Sequence, residues 1–250
     1  MDDSALTAYE AIASAYDDFT HRNDYEMWFG ALLPALEEHG LKKGRLLDVG
    51  CGTGRGFEPM LKRGWGIVGC DVSPAMLDRA KEKFGTAVPL CVADIRELPK
   101  FGEFELVWAL NDVLNYLTED GDLELALAGM RANLAPGGLI LFDTSTLALF
   151  EASFGGRVDD AMTVGEVRWS GWAAEIKPGG TFEARVAGGG VSPHAHRQRH
   201  HTAEDIRLAV EAAGLELLVS LGQQDSADGL VLVEDPDERR DQKVIHIARV

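Results

Sequence analysis

Leu46-Leu47-Asp48-Val49-Gly50-Cys51-Gly52-Thr53-Gly54 is the stretch that decides the fold. An apolar run carries an acid near its end, and glycine then takes every second position. Apolar residues set this densely over so few positions read as a strand buried on both faces. Glycine lets the backbone turn sharply there and lets a ligand come close with no Cβ in the way. Two phosphate-binding patterns are excluded. The dinucleotide fingerprint GxGxxG would need its third glycine at Arg55 or Phe57, and no GKS or GKT follows to make a Walker loop.

Outward from this loop, strand-like runs at 45–49, 67–71, 88–93, 104–109 and 139–143 alternate with helical stretches at 57–63, 74–83 and 120–134. The second helix opens with Ser73 as cap and Pro74 in its first turn. Short apolar strands joined by helices predict a doubly wound α/β sheet. Asp71 ends the second strand and Asp94 the third. In such sheets the carboxyl ends of the strands line one crevice, and an acid placed like Asp71 can accept both hydroxyls of a ribose. Asp48, Asp71 and Asp94 on one edge suit a ligand with a ribose, an adenine amine and a positive charge better than one with a pyrophosphate.

Before the loop, helical spacing puts Tyr9, Ile12, Ala13, Tyr16 and Phe19 on one side, and a second helix runs over 25–39 to Gly40. After Thr144 the texture changes. Glycine clusters at Gly155-Gly156, Gly179-Gly180 and Gly188-Gly189-Gly190 separate the runs 164–173, 182–187 and 194–201, which read as antiparallel strands. A helix at 203–213 and strands at 215–221 and 243–250 follow, with 235–242 as a solvated charged loop. The organisation is therefore a helical lid over 1–40, an α/β domain over 41–149 and 202–250, and an inserted antiparallel sheet over 150–201.

Composition narrows the function. With 24 Lys+Arg against 41 Asp+Glu the net charge is −17, which repels phosphate backbones and disfavours nucleic acid as a partner. No apolar run approaches the roughly 18 residues of a membrane span. The start Met1-Asp2-Asp3-Ser4 lacks the basic region of a secretory signal, so a cytoplasmic protein is expected. Cys51, Cys70 and Cys91 contain no CxxC pair and read as small buried hydrophobes.

The loop Asp48–Gly54, with Asp71, Asp94-Ile95 and Leu134-Ala135-Pro136-Gly137-Gly138, resembles the class I S-adenosylmethionine-dependent methyltransferases over residues 44–145. The resemblance implies a seven-stranded Rossmann-like sheet whose last strand, 243–250, is antiparallel to the rest. It implies S-adenosyl-L-methionine as cofactor and S-adenosyl-L-homocysteine as product. Gly50, Gly52 and Gly54 would face the methionine moiety, with Asp48 and Cys51 in the same loop. Asp71 would take the ribose hydroxyls, Val72 and Met76 would pack the adenine, and Asp94 with Ile95 would meet its amine edge. Tyr16, Trp28, Leu110, Asn111 and Asn115 complete the expected cofactor site.

The run Leu110-Asn111-Asp112-Val113-Leu114-Asn115-Tyr116 lacks the Pro-Pro-aromatic motif of enzymes that methylate DNA or protein amides. Tyr16-Asp17-Asp18-Phe19, then Asp24-Tyr25, resembles the N-terminal cover of methyltransferases acting on amino sugars and antibiotics, and the inserted strands sit where those enzymes carry a substrate-covering sheet. The implied reaction is methyl transfer to a small-molecule amine in antibiotic or sugar chemistry. Alternatives are an O-methyltransferase, an RNA methyltransferase, or a cofactor-binding module without catalysis. Tyr9, Tyr16 and Tyr116 are the candidate catalytic residues, and His201 is a weaker candidate base. Asp112 and Asp143 imitate a magnesium carboxylate pair, and His194, His196 and His200 share one strand face, yet neither set has metal-site spacing and no metal is expected. The oligomeric state is left open, a homo-oligomer included.

Overall fold

In the computed structural model, residues 4–21, 23–155, 162–164, 166–171, 173, 175–188, 191–226 and 229–250 are described. Three helices precede the sheet: α1 (Ser4–Ile12), α2 (Tyr16–Phe19) and α3 (Tyr25–Glu38). The alternating part follows as β1 (Arg45–Val49), α4 (Glu58–Lys62), β2 (Gly66–Asp71), α5 (Pro74–Phe84), β3 (Leu90–Val92), β4 (Phe104–Ala109), α6 (Asp122–Ala132) and β5 (Leu134–Ser145). Local chemistry sets the ends: Ser73 Oγ accepts from Met76 N at 3.2 Å to cap α5, and Gly85 stops that helix with φ +58°.

Then come α7 (Leu147–Phe154), β6 (Met162–Val164), β7 (Val167–Gly171), β8 (Thr181–Gly188), β9 (Val191–Arg199), α8 (Ala203–Ala212), β10 (Glu216–Ser226), β11 (Gly229–Val233) and β12 (Lys243–Arg249). The main sheet has the order β11-β10-β12-β5-β4-β1-β2-β3. Strands β1 to β5 are mutually parallel, and β12 runs antiparallel to both β5 and β10, as expected of the last strand. The chain winds from β1 out to β3 and then returns to β4, so the winding reverses between β1 and β4. That reversal opens a crevice at the carboxyl ends.

Alternate residues of each central strand supply opposite faces. Leu46, Leu106, Trp108 and Leu141 pack with Phe29, Leu32 and Leu36 of α3, while Leu47, Val107, Ile140 and Phe142 pack with Leu127 and Met130 of α6 and Ile206 of α8. A fold with both sheet faces covered is the result.

Four expectations need correction. The sheet gains an eighth strand, because the apolar run Leu230-Val231-Leu232-Val233 pairs antiparallel with β10 as an added edge. The apolar stripe at 5–19 is not one helix: the chain turns at 13–15 between α1 and α2. Helix α3, counted with the lid, belongs largely to the core, since Phe29 and Leu36 are fully buried against the sheet; α1 and α2 lie over the crevice, and of α3 Tyr25 at its start also lines it. The loop 235–242 is not merely solvated, for Asp241 is fully buried and accepts from Gln224 Nε2 at 2.7 Å and Asp237 N at 2.8 Å. The small sheet is present with four strands in the order β6-β7-β8-β9. Gly156, Gly189 and Gly190 lie outside the described residues.

Candidate active site

The crevice holds a cavity of about 1150 Å³, counting its open mouth. Its floor is the glycine turn after β1. Gly50, Gly52 and Gly54 have φ of +74°, +53° and +83°, a region that side chains rarely adopt. Gly50 N and Cys51 N both donate to Cys70 O, at 2.8 and 2.9 Å, which stitches the turn to β2. Asp71, at the end of β2, accepts from Gly52 N at 2.8 Å on one oxygen and from Ser73 N at 2.9 Å on the other. Burial raises its carboxyl, and the backbone N–H groups of Ser73, Gly52 and Val72 pull it back.

Asp48, Gly50, Cys51, Gly52, Asp71, Val72, Met76, Asp94, Ile95, Leu110 and Asn111 line the cavity together with Tyr9, Tyr16 and Tyr116. Burial pushes the Asp48 carboxyl up to about 7, against the pull of the Trp108 indole. Asp94 is clasped by Arg96, whose Nε lies 2.9 Å from one oxygen and whose NH2 lies 2.5 Å from the other. Burial would raise Asp94, but this guanidinium holds it below its ordinary value.

Three expected residues are elsewhere. Trp28 donates from Nε1 to Gln223 Oε1 at 3.0 Å within the core, with Lys243 over its ring. Asn115 is a buried staple: Nδ2 donates to Arg199 O at 2.8 Å, and Oδ1 accepts from Ser145 N at 3.0 Å. Gly54 serves the turn and not the cavity, since a Cβ there would strike Phe84 and Phe57. His201 is structural as well, buried and donating from Nε2 to Leu114 O at 2.9 Å.

Sequence reasoning missed Tyr25, Arg55 and Trp108, all of which line the cavity. Arg55 follows the third glycine directly, the one signal that could have pointed to it. Its guanidinium donates to Thr20 O at 2.5 Å, Thr20 Oγ1 at 2.7 Å and Asn23 O at 3.2 Å, tying the glycine turn to the cover. Two carboxylates of the cover do the same. Asp17 accepts from Thr53 Oγ1 at 2.5 Å and pairs with Lys83 at 2.7 Å, while Glu10 accepts from Ser73 Oγ at 2.7 Å and Ala75 N at 2.9 Å at the start of α5.

Asp112 and Asp143 do not form a metal pair. Both grip the buried Lys243 ammonium, at 2.6 and 2.7 Å. Burial would lower that lysine, but the two carboxylates raise it above its ordinary value. The grip anchors Asn111 and Asp112, consecutive residues at φ +64° and +65°, at the end of β4. Among the described residues no group of three or more His, Cys, Asp or Glu side chains converges to hold a metal ion.

Residues 46–138 match the family described as "Methyltransferase domain". A methyltransferase domain is what this stretch of the chain is similar to. It is similar to a Bacillus subtilis protein classed as a methyltransferase, 33% identical over 138 residues that make up 54% of each chain. The chain thus spans about half the length of the curated relatives it matches. In shape it follows an S-adenosylmethionine-dependent methyltransferase from Clostridium acetobutylicum, with a TM-score of 0.75, 21% identity, and 97% of this chain and 99% of that one covered. The sugar N-methyltransferase KedS8 from Streptoalloteichus superposes with a TM-score of 0.65 at 23% identity, covering 94% of this chain and 93% of the other.

The donor set fits the cofactor of this family. The Asp71 carboxylate has about four acceptor positions, more than its backbone N–H partners occupy, so acceptor capacity remains for ribose hydroxyls. The buried Trp108 indole N–H acts on the Asp48 carboxyl without reaching full hydrogen-bond geometry to any described residue. Asp48, on the same cavity wall, would supply a carboxylate for the methionine ammonium. An Asp71→Ala variant should lose the ribose bonds and about 2–4 kcal/mol of S-adenosylmethionine affinity, measured by calorimetry. A second outcome concerns pH. Because the free Asp48 carboxyl holds a proton up to about pH 7, and a neighbouring ammonium favours its ionised form, binding below that pH must expel the proton. Affinity should therefore fall roughly fivefold from pH 7 to pH 6 and level off above pH 8; Asp48→Asn should flatten this profile.

Proposed function

We propose that the protein transfers a methyl group from S-adenosylmethionine to the amine of a small molecule, an amino sugar or a related natural-product amine. One observation carries the reading: the phenols of Tyr9 and Tyr116, joined at 3.1 Å, face the cavity beside Asn111. They offer hydrogen-bonding oxygens and no positive charge. The cations that line the cavity among the described residues, Arg55 and Arg96, are already engaged by the cover and by Asp94. A neutral or cationic acceptor suits such a wall; a polyanionic RNA does not. Likeness in shape to a sugar N-methyltransferase supports the same acceptor class.

The cofactor supplies a methyl group on a positively charged sulfur, with its own leaving group. The protein's part is to align and to exclude water. Asn111 is held by Tyr25, its Nδ2 donating to the phenol at 3.0 Å. Tyr16 reaches over Gly52, and its ring packs edge-on to Tyr9 with centroids 5.9 Å apart. Burial raises the phenols of Tyr9, Tyr16 and Tyr116 above their ordinary values, so they act as neutral orienting groups rather than as phenolate bases. We place α1 and α2 as a cover that opens to admit both ligands, with Glu10, Asp17 and Arg55 as its latches.

Two experiments test this. Methyl-labelled cofactor incubated with nucleotide-linked amino sugars and free amines should place label on nitrogen, seen by mass spectrometry. Label on oxygen alone, or intact amines in the presence of bound cofactor, would refute the amine assignment. Amide exchange should show residues 4–19 strongly protected once S-adenosylhomocysteine is added, and Tyr16→Phe should lower turnover more than stability. Equal protection in free and bound protein would make this segment permanent packing.

A further inference from the structure

We infer that Tyr9, Tyr116, His196 and His194 form a proton exit from the cavity to the surface of the small sheet, serving an acceptor that arrives as an ammonium. The inference rests on the amine reading above. Its geometry is a continuous chain: Tyr9 Oη to Tyr116 Oη at 3.1 Å, Tyr116 Oη to His196 Nδ1 at 2.7 Å, and His196 Nε2 to His194 Nε2 at 3.2 Å. The first two residues line the cavity. His196 is buried, with Trp169 against its ring at 4.9 Å and Tyr9 edge-on at 5.5 Å. His194, two residues along β9, is only half-buried.

An aliphatic amine is an ammonium near neutral pH and has no free lone pair. Enclosure in the cavity lowers its proton affinity, but a cover that excludes water also removes the water that would take the proton. The chain provides another route. Tyr9 takes the ammonium proton and passes its own to Tyr116, which passes its own to Nδ1 of His196. His196 releases the proton on Nε2 to His194, which gives one to solvent. The freed amine then forms its C–N bond, the C–S electron pair stays on sulfur, and the methylated product leaves as an ammonium. No charge rests midway, because a proton enters His196 on one ring nitrogen as another leaves from the second. Burial pushes that imidazole down to about 3, which suits a group that passes a proton without keeping it.

Each link is satisfied with all donors pointing outward or all pointing inward, so one proton transit converts one arrangement into the other. The test needs no acceptor, so its failure is distinct from failure of the amine reading. The full chain is saturated with S-adenosylhomocysteine, and the Tyr116 hydroxyl proton, assigned by its loss in Tyr116→Phe, is followed by NMR magnetisation transfer from water. His194→Leu should slow its exchange on the order of tenfold. His194→Asn, which keeps a polar side chain but cannot shuttle a proton, should slow it equally. Exchange at the wild-type rate in both variants would overturn the relay.

Discussion

The Asp71 carboxylate is held from two sides by backbone N–H groups of different loops, Gly52 from the turn after β1 and Ser73 from the start of α5. The shape of the cavity depends on this clasp. Gly52 can present its N–H only because the turn runs through φ values that glycine tolerates. The donors of the clasp, together with the N-terminal end of α5, offset much of the desolvation of this buried carboxylate. One acid thus fixes the distance between two loops and keeps its remaining lone pairs turned to the cavity.

The cover is fastened in a different way. Glu10 meets the first turn of α5, Asp17 meets Thr53 and Lys83, and the carbonyls of Thr20 and Asn23 meet Arg55. The Asp17–Lys83 pair is well exposed, at 45% and 31% of side-chain surface, and such pairs are worth about 0–1 kcal/mol. Latches of this kind can be made and broken at little cost. The Lys243 cluster is the opposite case. Its ammonium and the Asp143 carboxylate are enclosed, and the grip sets the positive-φ corner at Asn111 and Asp112. Removing one member there would leave an uncompensated buried charge. One wall of the cavity is thus held by enclosed charges, and the proposed cover is held in part by an exposed pair.

Sequence and structure agree most closely where chemistry is local. The strand, the alternate glycines and the helix after them are neighbours along the chain, and backbone sterics alone dictate the turn. Asp71 and Asp94 follow from strand ends, because parallel strands must deliver their carboxyl ends to one edge. Trp28 and Asn115 fell outside the cavity because a helical or loop position does not reveal what lies opposite. One indole faces Gln223 across the core, and one amide faces Arg199 and Ser145. Gly54 was correct as a turn residue and misplaced as a ligand contact, since its close neighbours are the rings of Phe57 and Phe84.

By itself the sequence determined the α/β winding, the glycine turn and the convergence of three acids on one edge of the sheet. Each of these rests on spacing within a strand–turn–helix unit or on its repetition along the chain, where a residue's surroundings are set largely by its chain neighbours. Tertiary structure alone decided that Tyr9 meets Tyr116 across 107 residues and that Tyr116 meets His196 across 80. It also decided that Lys243 closes over Asp112 and Asp143. Those meetings are products of packing: the N-terminal helices and the small sheet are brought together by burying apolar surface, a non-directional force whose periodic trace marks which face is buried but not what it is buried against.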